Sequence, residues 1–199
     1  MSAKNVAIIN SGGANIASLE FALARLGSRS VLTSDPGTIT AATHVILPGV
    51  GAAANAMQTL QSADLQQLIP RLTQPVLGIC LGMQLLAQGS EEDDAACLGI
   101  VPATARKMTG SPQNPIPHMG WAPVRQRRPH PLFDGISDRS YFYFLHSYAL
   151  PVDEYTLASA THDQALSAVL SHGNFLATQF HPEKSSAAGA RILQNFLAM

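Results

Sequence analysis

The chain opens on an apolar run, Asn5-Val6-Ala7-Ile8-Ile9, closed by the pair Gly12-Gly13. That is the pattern of a short strand buried on both faces of a parallel sheet. Apolar residues then recur at spacings of three and four, at Ile16, Leu19, Leu23 and Leu26. This predicts a helix with one inward stripe, and Gly27 stands where such a helix stops. Residues 30–33 predict a second strand, ended by the turn signal Asp35-Pro36-Gly37. Residues 44–47 and 75–79 predict a third and a fourth, with helical stretches around 52–61 and 64–72 between them. Strands alternating with helices predict a mainly parallel central sheet with helices on both faces.

Beyond residue 100 the pattern changes. Strand-like runs crowd together at 103–108, 121–125, 141–148, 155–160, 166–171 and 175–180. The last two flank His172-Gly173-Asn174, which reads as a hairpin turn. Residues 185–199 predict a closing helix with Ile192, Leu193, Phe196 and Leu197 on its inner face, and the proline-rich stretch 111–117 predicts a surface loop. The fold class expected is α/β, a single domain over 1–199 with a smaller antiparallel extension.

Composition narrows the functional classes. Hydrophobic residues make up 46% of the 199 and charged ones 13%, which excludes a disordered chain and hints at surface covered by a partner. The net charge of −1 gives no general attraction to nucleic acid or anionic lipid, and Arg125, Arg127 and Arg128 read as a solvated loop face. No apolar run approaches the roughly 18 residues of a membrane helix, and the N-terminus lacks the apolar core of a secretory signal. The expectation is a soluble cytoplasmic protein in which both cysteines, Cys80 and Cys97, are free thiols.

The densest chemistry lies at 76–86, where an apolar strand runs into Cys80 and a helical pattern begins directly after it. Gly78 and Gly82 flank the cysteine at two residues on either side, the thiol form of the G-x-S-x-G nucleophile elbow. A nucleophile on so sharp a turn has a strained backbone, and neighbouring side chains would collide unless they were glycine. The turn lifts the sulfur over the carboxyl edge of the sheet, where open α/β sheets place their sites. The following helix N-terminus favours thiolate, and the Leu81 N–H is aimed at a developing oxyanion. Cys97 has no such setting and reads as structural.

A thiol nucleophile needs a base. His181 ends a predicted strand, with Pro182 fixing the backbone after it and Glu183 two residues on. A carboxylate on one imidazole nitrogen sets the tautomer and leaves the other to face the thiol, so Cys80, His181 and Glu183 supply nucleophile, base and orienter. At the carboxyl end of the third strand, Leu47-Pro48-Gly49-Val50-Gly51 places glycine on both sides of Val50. That makes Val50 a candidate second oxyanion donor. No metal cluster, phosphate loop or dinucleotide fingerprint is present, so no cofactor is implied.

With these segments in hand, the chain resembles the class I, triad-type glutamine amidotransferases, and among them the glutaminase subunits of imidazole glycerol phosphate synthase. The resemblance rests on G-I-C-L-G-M-Q at 78–84 and Q-F-H-P-E-K-S at 179–185, with P-G-V-G at 48–51, P-H-M-G-W at 117–121 and Y-F-L-H-S-Y at 143–148. It runs from Asn10-Ser11-Gly12-Gly13-Ala14-Asn15 to the final helix. It implies hydrolysis of glutamine through a Cys80 thioester, with the oxyanion held by the Leu81 and Val50 amides. It implies that Gly51, Gln84, Glu92, Tyr143, His146 and Ser147 line the glutamine pocket. The implied partner is a TIM-barrel cyclase in a heterodimer, which takes the ammonia for histidine biosynthesis. Pro48, Gly49, His118, Met119, Trp121 and Lys184 are implied at the shared interface, and the 48–51 loop as a switch coupled to the cyclase ligand. Met119 and Trp121 fit equally an exposed anchor and ordinary core. The family commonly continues H-M-G-W with an asparagine facing the partner, where this chain has Ala122.

Three rivals remain open. One is a glutaminase serving another synthase, against which H-M-G-W speaks. The others are a stand-alone thiol hydrolase of the same architecture and a non-catalytic binding subunit.

Overall fold

In the computed structural model, which describes residues 4–12 and 16–199, the apolar runs of the first half become β1 (Asn5–Ile9), β2 (Arg29–Thr33), β3 (His44–Gly49) and β4 (Val76–Cys80). They alternate with α1 (Ile16–Arg25), α2 (Pro36–Ala41), α3 (Ala53–Ser62), α4 (Leu65–Leu68) and α5 (Leu81–Leu85). Gly13, Ala14 and Asn15, which complete the first strand's glycine pair and the opening of the family-like segment, lie outside the described residues, as do residues 1–3 of the stretch read for a secretory signal.

The second half contributes β5 (Ala87–Ser90), β6 (Ala95–Ala96), β7 (Val101–Lys107), β8 (His118–Pro123), β9 (Arg125–Gln126), β10 (Tyr141–His146), β11 (Tyr148–Ala149), β12 (Thr156–His162), β13 (Gln164–His172) and β14 (Phe175–Thr178), then α6 (Ser186–Leu197). An eight-stranded sheet runs in the order β2-β1-β3-β4-β14-β13-β12-β9. Its β2, β1, β3, β4 and β14 are mutually parallel, and β13, β12 and β9 continue it antiparallel. A β8–β10 ribbon and a four-stranded sheet, β11-β7-β5-β6, stand apart from it. The fold is therefore the mixed α/β arrangement expected, but the antiparallel part is distributed over three sheets. The predicted run 141–148 breaks into β10 and β11, and 121–125 divides between β8 and β9.

One apolar cluster joins Val6, Ile8, Leu23, Ile46 and Leu77 to Ile192, Leu193 and Phe196 of α6. The other joins Ala7, Ile9, Val45, Leu47 and Val76 to Met57, Leu60 and Leu65 of α3 and α4. Adjacent strand residues enter opposite clusters, as the period of two requires, so both sheet faces are covered. The Asp35-Pro36-Gly37 signal starts α2 instead of closing a simple turn. Asp35 accepts the Thr38 N–H at 2.7 Å and Pro36 occupies the first turn, the pairing that favours a helix start.

What positions the site is the pairing of β14 with β4. Thr178 stands opposite Ile79, and Gly49 on the other side stands opposite Cys80. Segments nearly one hundred residues apart thus end at the same sheet edge.

Candidate active site

Cys80 ends β4 with φ 54° and ψ −109°, a left-handed backbone that costs a non-glycine residue on the order of 1–3 kcal/mol. The flanking glycines are dictated by contact. A Cβ on Gly82 would lie 1.7 Å from the Leu47 carbonyl oxygen, and one on Gly78 would lie 2.8 Å from the Gly82 oxygen. The turn is tight enough that the main chains of β3, β4 and α5 approach one another directly. α5 then ends after five residues, so the helix expected after the cysteine is little more than one turn.

The sulfur faces a cleft of ≈ 260 Å³ at the sheet's carboxyl edge, below the range typical of drug-sized ligands and suited to a small substrate. Val50, Gly51, Leu81, Gln84, Glu92, His146, Ser147 and His181 line it, together with Lys184 at its mouth. In the resting arrangement the thiol donates to the Leu145 carbonyl at 3.5 Å. His181 Nδ1 donates to Glu183 Oε1 at 2.8 Å, which leaves Nε2 on the sulfur side. Nε2 is buried and has no hydrogen-bond partner among the described residues. Burial opposes a charge on this imidazole. The neighbouring Cys80 sulfur and Glu183 carboxylate outweigh it and hold the His181 pKa up to about 9.

Glu92 reaches the cleft from a 3-10 turn and accepts the Ala53 N–H at 2.9 Å, capping α3, which has no side-chain cap of its own. Ser11, buried beneath the 48–51 segment, donates its hydroxyl to the Pro48 carbonyl at 2.6 Å and ties that segment to the end of β1. Pro48 and Gly49 are buried, whereas Val50 and Gly51 are exposed, so only the latter two of this segment present side-chain positions outward.

Several expected residues take other places. Tyr143 is not a wall of the cleft: it lies edge-on to Trp121, with the Lys184 ammonium 6.0 Å from its ring. It shares the outward face of β10 with Leu145, while Phe142, Phe144 and His146 point inward. His118, expected at a partner surface, is buried, stacked between the rings of Phe144 and His162. His146 borders the cleft but both ring nitrogens are engaged. Its Nδ1 donates to the Tyr148 carbonyl (2.9 Å), and its Nε2 accepts from His118 Nδ1 (3.2 Å). Burial holds it neutral, with a pKa lowered to about 3. What the 145–147 segment offers a ligand is therefore chiefly main chain and Ser147. Pro117, Leu145 and Tyr148 also line the cleft and were not foreseen from sequence, although the motifs at 117–121 and 143–148 contain all three.

Met119 and Trp121 are 67% and 52% exposed, so of their two readings the core one does not hold. They share the outward face of the β8–β10 ribbon with Tyr141 and Leu145, and Leu145 reaches the cleft. Ala122 lies on the inward face, buried opposite Phe142, so position 122 does not point outward.

No helix among the described residues is long and apolar enough to cross a membrane. A family model described as glutamine amidotransferase class-I matches residues 7–199. The chain is 48% identical to imidazole glycerol phosphate synthase subunit HisH of Vibrio cholerae serotype O1, covering 98% of this chain and 99% of that protein. It is 46% identical to subunit HisH 2 of the same synthase from Legionella pneumophila (strain Lens), with 98% of each covered. Among solved structures, a crystal structure of a glutamine amidotransferase superposes with a TM-score of 0.73 over 97% of both chains, at 19% identity. That last likeness concerns the fold alone.

Proposed function

The chain belongs to the class I glutamine amidotransferase family, and from that premise we propose that it is the glutaminase subunit of an imidazole glycerol phosphate synthase, one domain over residues 1–199. Glutamine enters the cleft with its side-chain amide over Cys80. The Sγ–H proton resides on His181 Nε2 in the reactive thiolate–imidazolium pair, the form that the raised His181 pKa reflects, and the sulfur attacks the amide carbon. The oxyanion so formed meets the Leu81 and Val50 N–H groups. His181 returns the proton to the departing nitrogen, releasing ammonia and leaving a glutamyl thioester. Water, deprotonated by His181, then attacks the thioester; glutamate leaves and the thiol is restored.

Glu183 holds the imidazole in the tautomer this sequence needs. Gly51, Gln84, Glu92 and Ser147 shape the substrate pocket, and the Glu92 carboxylate suits the substrate's ammonium group. Tyr143 and His146 act one layer back, bearing on Lys184 and on the 145–148 main chain. The observation that carries the reading is the strained Cys80 sharing a cleft with the His181–Glu183 pair, bonded at 2.8 Å.

The partner is a TIM-barrel cyclase in a heterodimer, to which the ammonia passes for formation of imidazole glycerol phosphate in histidine biosynthesis. Relatives named as subunits of that synthase support this. So does the exposed apolar face carrying Met119 and Trp121 beside the cleft, since monomers seldom leave such faces bare. Docking there, with Val50, Gly51 and Lys184 at its edge, would seal the released ammonia from water. The whole scheme fits a cytoplasmic setting with free thiols.

The test is purification with a TIM-barrel cyclase and measurement of glutamate with and without the cyclase's nucleotide ligand. Ligand-stimulated glutamate release is expected. Equal turnover by the isolated chain would favour the stand-alone hydrolase.

A further inference from the structure

Behind the nucleophile stands a polar side chain to which the scheme above gives no role. Gln179 follows β14 and is fully buried. Its amide nitrogen lies 3.8 Å from Cys80 Sγ, and its amide oxygen accepts from Gln84 Nε2 at 3.4 Å. Gln84 Nε2 is held in turn by the Tyr148 carbonyl at 2.8 Å. This network decides which way the Gln179 amide faces. With its oxygen taken by an N–H, the NH₂ end is the one directed at sulfur.

A buried primary amide is costly unless its donors find acceptors. A neutral thiol sulfur accepts weakly, whereas a thiolate accepts a charge-assisted hydrogen bond. Two neighbours of the sulfur thus act in opposite senses. The Leu145 carbonyl accepts from S–H and favours the thiol, while the Gln179 amide donates and favours the anion.

We propose that Gln179 is a catalytic residue, a fixed donor that stabilises the Cys80 thiolate alongside His181. When the S–H bond breaks and its proton moves to His181 Nε2, the electron pair left on sulfur is held by the Gln179 N–H on one side and the imidazolium on the other. Gln84 is then a positioning residue for this step, because it keeps the Gln179 amide from turning over. The inference rests on Cys80 being the nucleophile of the proposed glutaminase.

The test is alkylation of the full-length chain by iodoacetamide, in which the sulfur displaces iodide, followed at the Cys80 peptide by mass spectrometry. The replacement Gln179→Met keeps the length of the side chain and removes both N–H donors. Near pH 7 its alkylation rate is expected to fall about tenfold, the effect of one lost hydrogen bond to a charged group. The variant's rate should climb toward that of the parent as pH rises, because hydroxide then takes the proton that the lost donor no longer helps to release. An unchanged rate at neutral pH overturns the proposal. So does a slow rate at every pH, which would mean a displaced thiol. If Gln179→Met fails to fold by circular dichroism, Gln84→Met takes its place. There a loss of about threefold, recovered at high pH, is expected, and an unchanged rate overturns the proposal. Glutamate release by the parent with its partner is scored separately. A parent that shows the alkylation pattern but makes no glutamate refutes the glutaminase reading and leaves the Gln179–Cys80 interaction standing.

Discussion

Cys80 and Cys97 are 6% and 9% exposed, and by burial alone the two thiols are the same residue in the same kind of place. Cys97 lies in an apolar cluster beside β6, its sulfur 3.7 Å from the Ala95 carbonyl, and burial alone pushes its pKa up to about 11. It is a small hydrophobe that carries a thiol. Cys80 differs in three respects: a left-handed backbone aims it out of the sheet, a cleft opens in front of it, and the His181–Glu183 pair and the Gln179 amide stand around it. Burial of a sulfur therefore says little about its chemistry. The difference lies in whether the surroundings offer donors and a cation to the anion, and space for an electrophile.

The comparison is broken most directly by exchanging the thiols for methyl groups. Cys80→Ala in the assembled synthase is expected to lower kcat for glutamate release by about 10⁴-fold or more, as for removal of other nucleophiles. Cys97→Ala should leave kcat within about twofold and cost about 1 kcal/mol in urea unfolding, the scale of a small buried deletion. An inactive Cys97→Ala that still folds would end the contrast.

A middle-sized effect is expected at the 48–51 segment, proposed above to supply an oxyanion donor beside Cys80. Val50→Pro removes one N–H donor and should reduce ligand-stimulated kcat by about 10²-fold or more. Ligand stimulation that survives intact in this variant would remove the 48–51 segment from both the oxyanion site and the switch.

The smallest effect reads the charges around Cys80. The His181 pKa is raised from 6.5 to about 9 in the fold, so its stabilisation is complete below pH 6.5 and is lost as pH rises through 9. His44 and His118 are lowered to about 4, and His146 to about 3, chiefly by burial. They take up protons on unfolding, so their contribution is lost as pH falls below 6.5. The urea midpoint should peak near pH 6.5 and decline on both sides. Glu183→Gln should flatten the alkaline decline specifically; an unaltered limb would show that the carboxylate does not hold the proton on His181.

Much of this arrangement was legible in the chain. The run into Cys80 reads as strand and then turn because glycine at 78 and 82 is the only residue the contacts allow. β4, β14 and α6 are plain from apolar periodicity. α2 was hidden because Asp-Pro-Gly marks a turn as readily as a helix start. β5 was hidden because Ala87-Gln88-Gly89-Ser90 contains no β-branched or aromatic residue. His118 was sent outward because a motif gives neighbours in sequence but not the face of the ribbon to which each belongs; Tyr143 lies outside the residues that line the cleft. Gln179 carried no visible role for a related reason: a glutamine before His181 acquires meaning only when β14 lies beside β4.

By itself the sequence determined the local chemistry: a strained elbow for one thiol, a histidine with a carboxylate two residues on, and the strands that bear them. Such features depend on contacts a few residues apart, which composition and spacing encode directly. Only the tertiary structure decided that Thr178 would stand opposite Ile79, bringing imidazole, amide and sulfur to one sheet edge, and that Met119 and Trp121 would face outward while His118 went inside. Strand order and facing are settled by burying the whole apolar surface at once, a condition on the entire chain that no single segment contains.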